Sequence, residues 1–162
     1  MIIVADSSPL ISFAIIGKLN LLSQIFSEIY IPEAVFTEIT AWKKPFSREL
    51  TVFAEPHRKA VQNRLAVQVL MNELDEGESE AIILALENEI TDILIDEHKG
   101  RRIAISNGLH PIGTIGVLLE ARHRGLLEKI KPSLDKLIAN KVRISVDLYL
   151  FVSAEIFPIS EF

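Results

Sequence analysis

Two apolar runs in this sequence end on a carboxylate. Asp6 follows the run from Ile2 to Ala5, and Asp96 closes the string "DILID". An unpaired charge is unstable in a hydrocarbon interior, so each carboxylate must either cap a helix, lie in a turn or bind a positively charged partner. For Asp6, capping a helix and binding a cation both stay open.

Further acids stand where a helix could bring them beside Asp6. Glu38 lies one turn into "PEAVFTEIT", and Glu78 and Glu80 lie in the first turn of "GESEAIILALE". Each has an ordinary explanation, because exposed helix acids and carboxylates near a helix N-terminus are common. Glu78 and Glu80 would point about 200° apart on a helix, so only one of them is expected to face a shared site.

The joint placement of these acids predicts a metal site. Carboxylates that converge in one cleft repel each other unless a cation lies among them. Oxygen ligands without cysteine or histidine suit Mg²⁺ or Mn²⁺ better than Zn²⁺. Such an ion can orient and activate a water and neutralise a scissile phosphate, which is the chemistry of phosphodiester hydrolysis.

Short apolar strands that alternate with helical segments are expected to position these acids. The strands are predicted at Ile2 to Ala5, "EIYI", "DILID" and "LHPIG". Strands that are apolar throughout form parallel sheets covered on both faces, and ligands bind beyond their carboxyl ends. We therefore expect a three-layer α/β/α sandwich with a central, mostly parallel sheet, and Asp6 and Asp96 at one edge of it.

Cap and breaker residues predict the helix limits. Ser8 and Thr114 are candidate N-caps, with Pro9 at the first position of the first helix. Helical periodicity runs from Arg58 to Leu74, whereas residues 41–56, which two prolines interrupt, predict a loop or an irregular helix.

We expect residues 1–162 to form a single domain in which residues 126–162 are a C-terminal helical extension. Its helices are predicted over "PSLDKLIANK" and "SVDLYLFVSAEIF". The second is more apolar than one packed face requires. This favours packing on the domain, pairing with another copy, or binding of an inhibitory partner.

Composition limits the classes of function. The 162-residue chain has no cysteine and a net charge of -5, so it is not a general polycation that grips nucleic acid. The absence of cysteine and of a secretory signal predicts a cytoplasmic protein, and no apolar run approaches the ~20 residues that span a bilayer. Lys99, Arg101 and Arg102 follow Asp96 directly, and they are either solvated or the cations nearest the predicted site.

Four strings carry a resemblance to a known family. "VADSSPLI", "IPEAVFTEI", "GESEAIILALE" and "ILIDEHKGRRIA" occur in this order within a match from Ile2 to about Arg124. Together they resemble the motifs of PIN-domain proteins, the nuclease-like family that includes VapC-type toxins. The resemblance implies a Rossmann-like sandwich and a metal-dependent ribonuclease.

The resemblance also implies particular site residues. It places Asp6, Glu38, Glu80 and Asp96 as the catalytic, metal-binding acids, with Mg²⁺ or Mn²⁺ as the cofactor. Glu80 fits the acid-x-x-apolar pattern of the third motif better than Glu78 does. The secondary candidates are Ser7, which would orient a water or phosphate or cap the helix, and Glu78 and Glu97, which would replace or assist the main acids.

The first functional hypothesis is an endoribonuclease of PIN type that cleaves RNA, forms a homodimer and serves as the toxin of a toxin–antitoxin pair, with an antitoxin protein as its partner. In it, Lys99, Arg101 and Arg102 contact the nucleic-acid backbone. The alternative is a non-catalytic PIN-like module that binds nucleic acid or protein. A phosphotransfer enzyme with Asp6 as nucleophile is disfavoured, because "DSS" lacks a second acid two residues on.

Overall fold

In the computed structural model, which describes residues 1–154, a five-stranded parallel sheet lies between two layers of helices. The strands are β1 (Ile2–Ala5), β2 (Glu28–Pro32), β3 (Arg58–Lys59), β4 (Asp92–Leu94) and β5 (His110–Ile112). Their order across the sheet is β3-β2-β1-β4-β5, and every neighbouring pair is parallel. The predicted three-layer α/β/α class is confirmed.

Ten α-helices occur within the described residues. They are α1 (Ser7–Ile15), α2 (Leu19–Ile25), α3 (Glu33–Ile39), α4 (Ser47–Ala54), α5 (Arg64–Leu70), α6 (Glu76–Glu87), α7 (His98–Ser106), α8 (Thr114–His123), α9 (Lys131–Ala139) and α10 (Val146–Ser153). No single helix among them is long and apolar enough to cross a membrane; α1 and α2 reach that length and composition only as a pair bent by 118°.

Residues of β1 alternate between the two faces of the sheet, as the two-residue period of a strand requires. Ile3 and Ala5 are buried in the core that the sheet shares with α1, α2, α8 and α9, and Val4 is buried in the core shared with α5, α6 and α7. Leu134 and Leu137 of α9 and Val152 of α10 belong to the first core. The predicted C-terminal extension thus packs on the sheet through these residues. The division of the single domain at residue 126 stays a prediction.

The pairing of β1 with β4 brings the ends of both strands to one edge of the sheet. Ala5 lies opposite Leu94, and the Asp6 N–H donates to the Leu94 carbonyl over 2.9 Å. Beyond β4, the Ile95 N–H donates to the Ile112 carbonyl of β5 over 2.9 Å. Asp6 and Asp96 therefore leave the sheet at the same edge.

Both predicted N-caps are wrong by one or two residues. Helix α1 begins at Ser7, so Asp6 and not Ser8 occupies the N-cap position. Helix α8 begins at Thr114 with Gly113 at its N-cap, and the Thr114 hydroxyl donates to Asp96 Oδ2.

Two helix predictions between residues 41 and 74 also need correction. The periodic segment from Arg58 to Leu74 is helical only in α5, because Arg58 and Lys59 pair with β2 and the Asn63 side chain caps the helix by accepting from the Ala66 N–H. Residues 47–54 form the regular helix α4. The last predicted helix begins as α10, and its continuation over residues 155–157 lies outside the described residues.

Candidate active site

A pocket of about 300 Å³ opens at the carboxyl end of β1. Six carboxylates and one ammonium group line it, which is why we call it the acidic pocket. Its lining residues are Asp6, Ser7, Ser8, Glu38, Glu73, Leu74, Asp75, Glu78, Glu97 and Lys99. They come from α1, α3, α6, α7 and the segments beside them, so the fold assembles in one place acids that are far apart along the chain.

Asp6 is a buried carboxylate in the lining of the acidic pocket. It occupies the N-cap position of α1, yet its side chain makes no capping hydrogen bond, and the residue is only 3 % exposed. Burial raises the pKa of Asp6 to about 8; the nearby carboxylates of Glu78, Asp75 and Glu38 raise it too, and the Ser7 backbone N–H opposes them. Of the two roles left open by the sequence, helix capping has no hydrogen bond to support it.

Glu38 reaches the acidic pocket from the last turn of α3. The Ser7 hydroxyl donates to Glu38 Oε2 over 2.6 Å, and Ser7 is itself buried. This bond ties α3 to the first turn of α1, directly beside Asp6. Ser7 thereby orients an acid, whereas the sequence predicted that it would orient a water or a phosphate or cap the helix.

Glu78 enters the acidic pocket from the first turn of α6. Asp75 Oδ1 accepts from the Glu78 N–H over 2.8 Å, and Glu78 Oε2 accepts from the Asp75 N–H over 3.3 Å, which forms a capping box. Burial raises the pKa of Glu78, and the carboxylates of Asp75, Glu97 and Glu38 raise it further. Two acids in the same pocket are therefore destabilised as anions.

Helix α7 approaches Glu78 closely because residue 100 is glycine. A Cβ atom placed on Gly100 would lie 3.1 Å from Glu78 Oε1 and 2.6 Å from Ile95 Cδ1. Contacts that short require the backbone or the neighbouring side chains to move. Gly100 thus allows α7, with Glu97 at its N-cap, to close one side of the pocket.

Glu80 points away from the acidic pocket into the junction of α3, α5 and α6. Glu80 Oε2 accepts from the Ala34 N–H over 2.8 Å, and Glu80 Oε1 accepts from Arg64 over 2.7 Å. The residue is 3 % exposed and does not line the pocket. Glu80 holds the N-terminus of α3, and through it the helix that carries Glu38.

Asp96 also has partners outside the acidic pocket. Its Oδ1 accepts from the Thr114 N–H over 2.7 Å and its Oδ2 accepts from the Thr114 hydroxyl over 2.6 Å. Both oxygens are thus directed at the start of α8. Glu97, the next residue, lines the acidic pocket instead.

A second, larger depression of about 900 Å³ adjoins the acidic pocket beyond β5. We call it the basic groove, after the cationic side chains of Arg101, Lys141 and Arg143 in its lining. Ser8 and Glu97 line both depressions, so the two are continuous.

The three predicted nucleic-acid contacts fall in different places. Lys99 lines the acidic pocket, and Arg101 lines the basic groove while its guanidinium donates to the Ile95 carbonyl over 3.0 Å. Arg102 is exposed and lines neither. Sequence reasoning missed Lys141 and Arg143, although the string "NKVR", which spans the end of a predicted helix, was a usable signal.

The acidic pocket offers the donor types that Mg²⁺ and Mn²⁺ prefer, all of them carboxylate or hydroxyl oxygens. Burial and, after it, the neighbouring carboxylates raise the pKa values of Asp6 and Glu78, so a cation among these groups would favour their charged forms. Within residues 1–154, no three histidine, aspartate or glutamate side chains stand close enough together to hold a metal ion. The donor chemistry thus fits a divalent cation, while these side-chain positions do not form a complete ligand set.

Comparison with known proteins places the chain in a family. The family model DUF3368, described as a PIN domain, matches residues 2–156, which is nearly the whole chain. No curated protein and no solved structure is significantly similar to the chain.

Proposed function

The chain belongs to the PIN-domain family, whose members are generally nucleases, and we propose that this protein is a metal-dependent endoribonuclease. The observation that carries this proposal is the acidic pocket. Six carboxylates converge at the carboxyl edge of a parallel sheet, where α/β proteins bind their ligands. The pKa values of Asp6 and Glu78 are raised, which is typical of carboxylates in functional sites.

The acids proposed to hold Mg²⁺ or Mn²⁺ are Asp6, Glu38, Glu78 and Glu97, which share the pocket. This set keeps two of the four acids expected from the family resemblance. For the third and fourth positions we propose Glu78 and Glu97. Both carboxylate oxygens of Glu80 and of Asp96 already accept hydrogen bonds from other protein groups.

A bound divalent ion would supply a Lewis acid that activates a water and stabilises charge on the scissile phosphate. The protein's own groups prepare the site for it. Ser7 fixes the Glu38 carboxylate, and Lys99, a cation in the pocket lining, would contact a phosphate oxygen. Asp6 must release its proton before it can act as a ligand, so we expect metal affinity to rise as the pH approaches about 8.

The test is cleavage of single-stranded RNA in the presence of Mn²⁺, with and without a chelator. We expect the wild type to cleave, chelation to stop cleavage, and Asp6→Asn to lose it. Asp147→Asn, an equal change at an exposed site outside both depressions, should keep the wild-type rate. Equal activity of Asp6→Asn and the wild type would end the proposal.

One observation favours a second candidate, a PIN-like module that binds nucleic acid or protein without cleaving it. No three acids in the described part of the chain stand within metal-holding distance. Calorimetric titration with Mn²⁺ separates the candidates. Binding in the micromolar range supports the nuclease, and no binding at millimolar Mn²⁺ supports the module.

We also propose that the protein is the toxin of a toxin–antitoxin pair, acts in the cytoplasm and forms a homodimer. Exposed apolar side chains on α10, Val146 at 71 % and Leu150 at 60 %, support an interface with another chain. Sedimentation velocity of the wild type and of Leu150→Glu tests the dimer. A monomeric wild type at micromolar concentration would contradict it.

A further inference from the structure

We propose that the basic groove binds the phosphate backbone of a single RNA strand next to the bond that lies in the acidic pocket. This inference rests on the proposed nuclease function and adds the path of the substrate to it. Lys141 and Arg143 are the residues that the inference assigns to phosphate binding.

The need for such a surface follows from the charge of the acidic pocket. Six carboxylates line it, and Lys99 is the cation among its described lining residues. Repulsion opposes the approach of a polyanion to that pocket, even with a divalent ion bound. Binding free energy must therefore come from cations that contact neighbouring phosphates.

The basic groove lies where a strand leaving the acidic pocket would pass. Ser8 and Glu97 form the shared rim, and the groove continues from there past β5 to the segment between α9 and α10. Its volume of about 900 Å³ leaves room for several linked groups rather than a single ion.

Lys141 and Arg143 have charge available for a ligand. Neither side chain forms a hydrogen bond or an ion pair with the described residues, whereas Arg58, Arg124 and Lys131 elsewhere on the surface are each paired with a carboxylate. Asp96 lines the same groove, but Thr114 occupies both of its oxygens. Glu97, at the rim, faces the acidic pocket as well.

The segment that carries the two cations is fixed by the core. The Lys141 N–H donates to the Ile138 carbonyl and the Val142 N–H donates to the Leu137 carbonyl, each over 3.0 Å. Val142 and Ile144 pack against the core, and the alternating Lys141 and Arg143 are exposed. A held segment loses less entropy on binding than a free one, which suits it to track a phosphate backbone.

The experiment measures binding without cleavage, by fluorescence anisotropy of a labelled single-stranded RNA of about 16 nucleotides in a chelator. The variants are Lys141→Ala/Arg143→Ala and a control, Lys129→Ala/Lys136→Ala. The control removes the same number of charges from exposed lysines outside the groove. Each titration is repeated between about 50 and 200 mM KCl, because the salt slope counts phosphate contacts.

We expect the groove variant to bind about tenfold more weakly at the lowest salt, with a salt slope smaller by about 1.4, the amount for two lost contacts to a single strand. The control should match the wild type. Equal losses in both variants, an unchanged slope in the groove variant, or no RNA binding by the wild type would overturn the inference. Competition by polyglutamate as effective as by RNA of equal charge would also overturn it, in favour of an acidic protein partner.

The two proposals fail in distinguishable ways. An unchanged groove variant beside a wild type that cleaves RNA would remove the groove and leave the nuclease standing. Groove-dependent binding without cleavage would instead support the non-catalytic module.

Discussion

The acidic pocket and the junction of α3, α5 and α6 each bury a glutamate from the start of α6, but only the junction gives it donors from other helices. The donor to Glu78 is the N–H of Asp75, the N-cap residue of the same helix. Glu80 accepts from the Ala34 N–H and from Arg64, whereas Glu78 shares its pocket with other carboxylates. Two residues on one helix thus meet opposite electrostatic environments. A buried acid with its hydrogen bonds filled stabilises the fold, and a buried acid among acids is poised for a cation.

The same contrast separates the ends of β1 and β4. Asp6 is buried without a capping bond and has a pKa raised to about 8, whereas both Asp96 oxygens accept from Thr114. The strands are neighbours and end at one edge. What differs is whether a donor from another part of the chain reaches the carboxylate.

Replacing Glu78 should have the largest effect. We expect Glu78→Gln to lower kcat/KM for RNA by about 1,000-fold, because it removes a charged oxygen from the proposed metal site. Glu128→Gln, at an exposed position outside the pocket, should leave the rate unchanged. The contrast between the two glutamates breaks if Glu78→Gln keeps its activity while Glu80→Gln loses it.

Replacing Asp6 should stabilise the metal-free protein in a way that depends on pH. The folded state binds the Asp6 proton more tightly than the unfolded state, so the free energy of unfolding falls as the pH rises from about 4 through about 8. Asp6→Asn carries no such penalty and should be more stable than the wild type by about 5 kcal/mol at pH 8, since the pKa is raised from 3.8 to about 8. Urea unfolding in a chelator at both pH values measures this.

The two proteins should have nearly equal stability at about pH 4, where the Asp6 carboxyl is protonated in the folded state. A stability difference that does not change with pH would contradict the raised pKa. A wild type more stable than Asp6→Asn at pH 8 would contradict it as well.

Replacing Glu80 should weaken the fold rather than the chemistry. Glu80→Gln gives up a charged acceptor for the Ala34 N–H and Arg64, and we expect a loss of about 2 kcal/mol, reduced by the solvent exposure of Arg64. Glu76→Gln is the matched control, since Glu76 contacts the same arginine at 3.5 Å from an exposed position. Cleavage by the folded fraction should stay within a few-fold of wild type; a loss like that of Glu78→Gln would return Glu80 to the metal site.

Replacing Thr114 should have the smallest effect. Thr114→Val removes the hydroxyl that donates to Asp96 Oδ2 and should lower stability by about 1 kcal/mol, measured by thermal unfolding. Thr51→Val, which removes an exposed bond to the Ser47 carbonyl, should change stability less. If Thr114→Val instead abolished cleavage at full stability, Asp96 would belong with the catalytic acids.

Strand patterns in the sequence were sufficient to predict the fold class and to place Asp6 and Asp96 at one sheet edge. Apolar runs and the parallel-sheet rule depend on local composition, so they can be read along the chain. The two-residue strand β3 could not be predicted this way, because it exists only through its pairing with Ile31 and Pro32.

The sequence could not predict whether Glu78 or Glu80, or whether Asp96 or Glu97, lies in the acidic pocket, for a related reason. The donors that satisfy Glu80 lie 16 and 46 residues away along the chain, and the donor that satisfies Asp96 lies 18 residues away. Helical geometry could say that Glu78 and Glu80 diverge, but not which of them meets donors from α3 and α5. The same limit applies to Lys141 and Arg143, whose position beside the pocket depends on how α9 packs.

The central claim is that a divalent cation binds among the carboxylates of the acidic pocket. The most direct measurement is a crystal structure of the protein with Mn²⁺, in which anomalous scattering locates the ion. We predict an ion within about 2.5 Å of oxygens from Asp6 and at least one of Glu38, Glu78 and Glu97. An ion held instead by Glu80 or Asp96, or no ion in the pocket at millimolar Mn²⁺, would contradict the account.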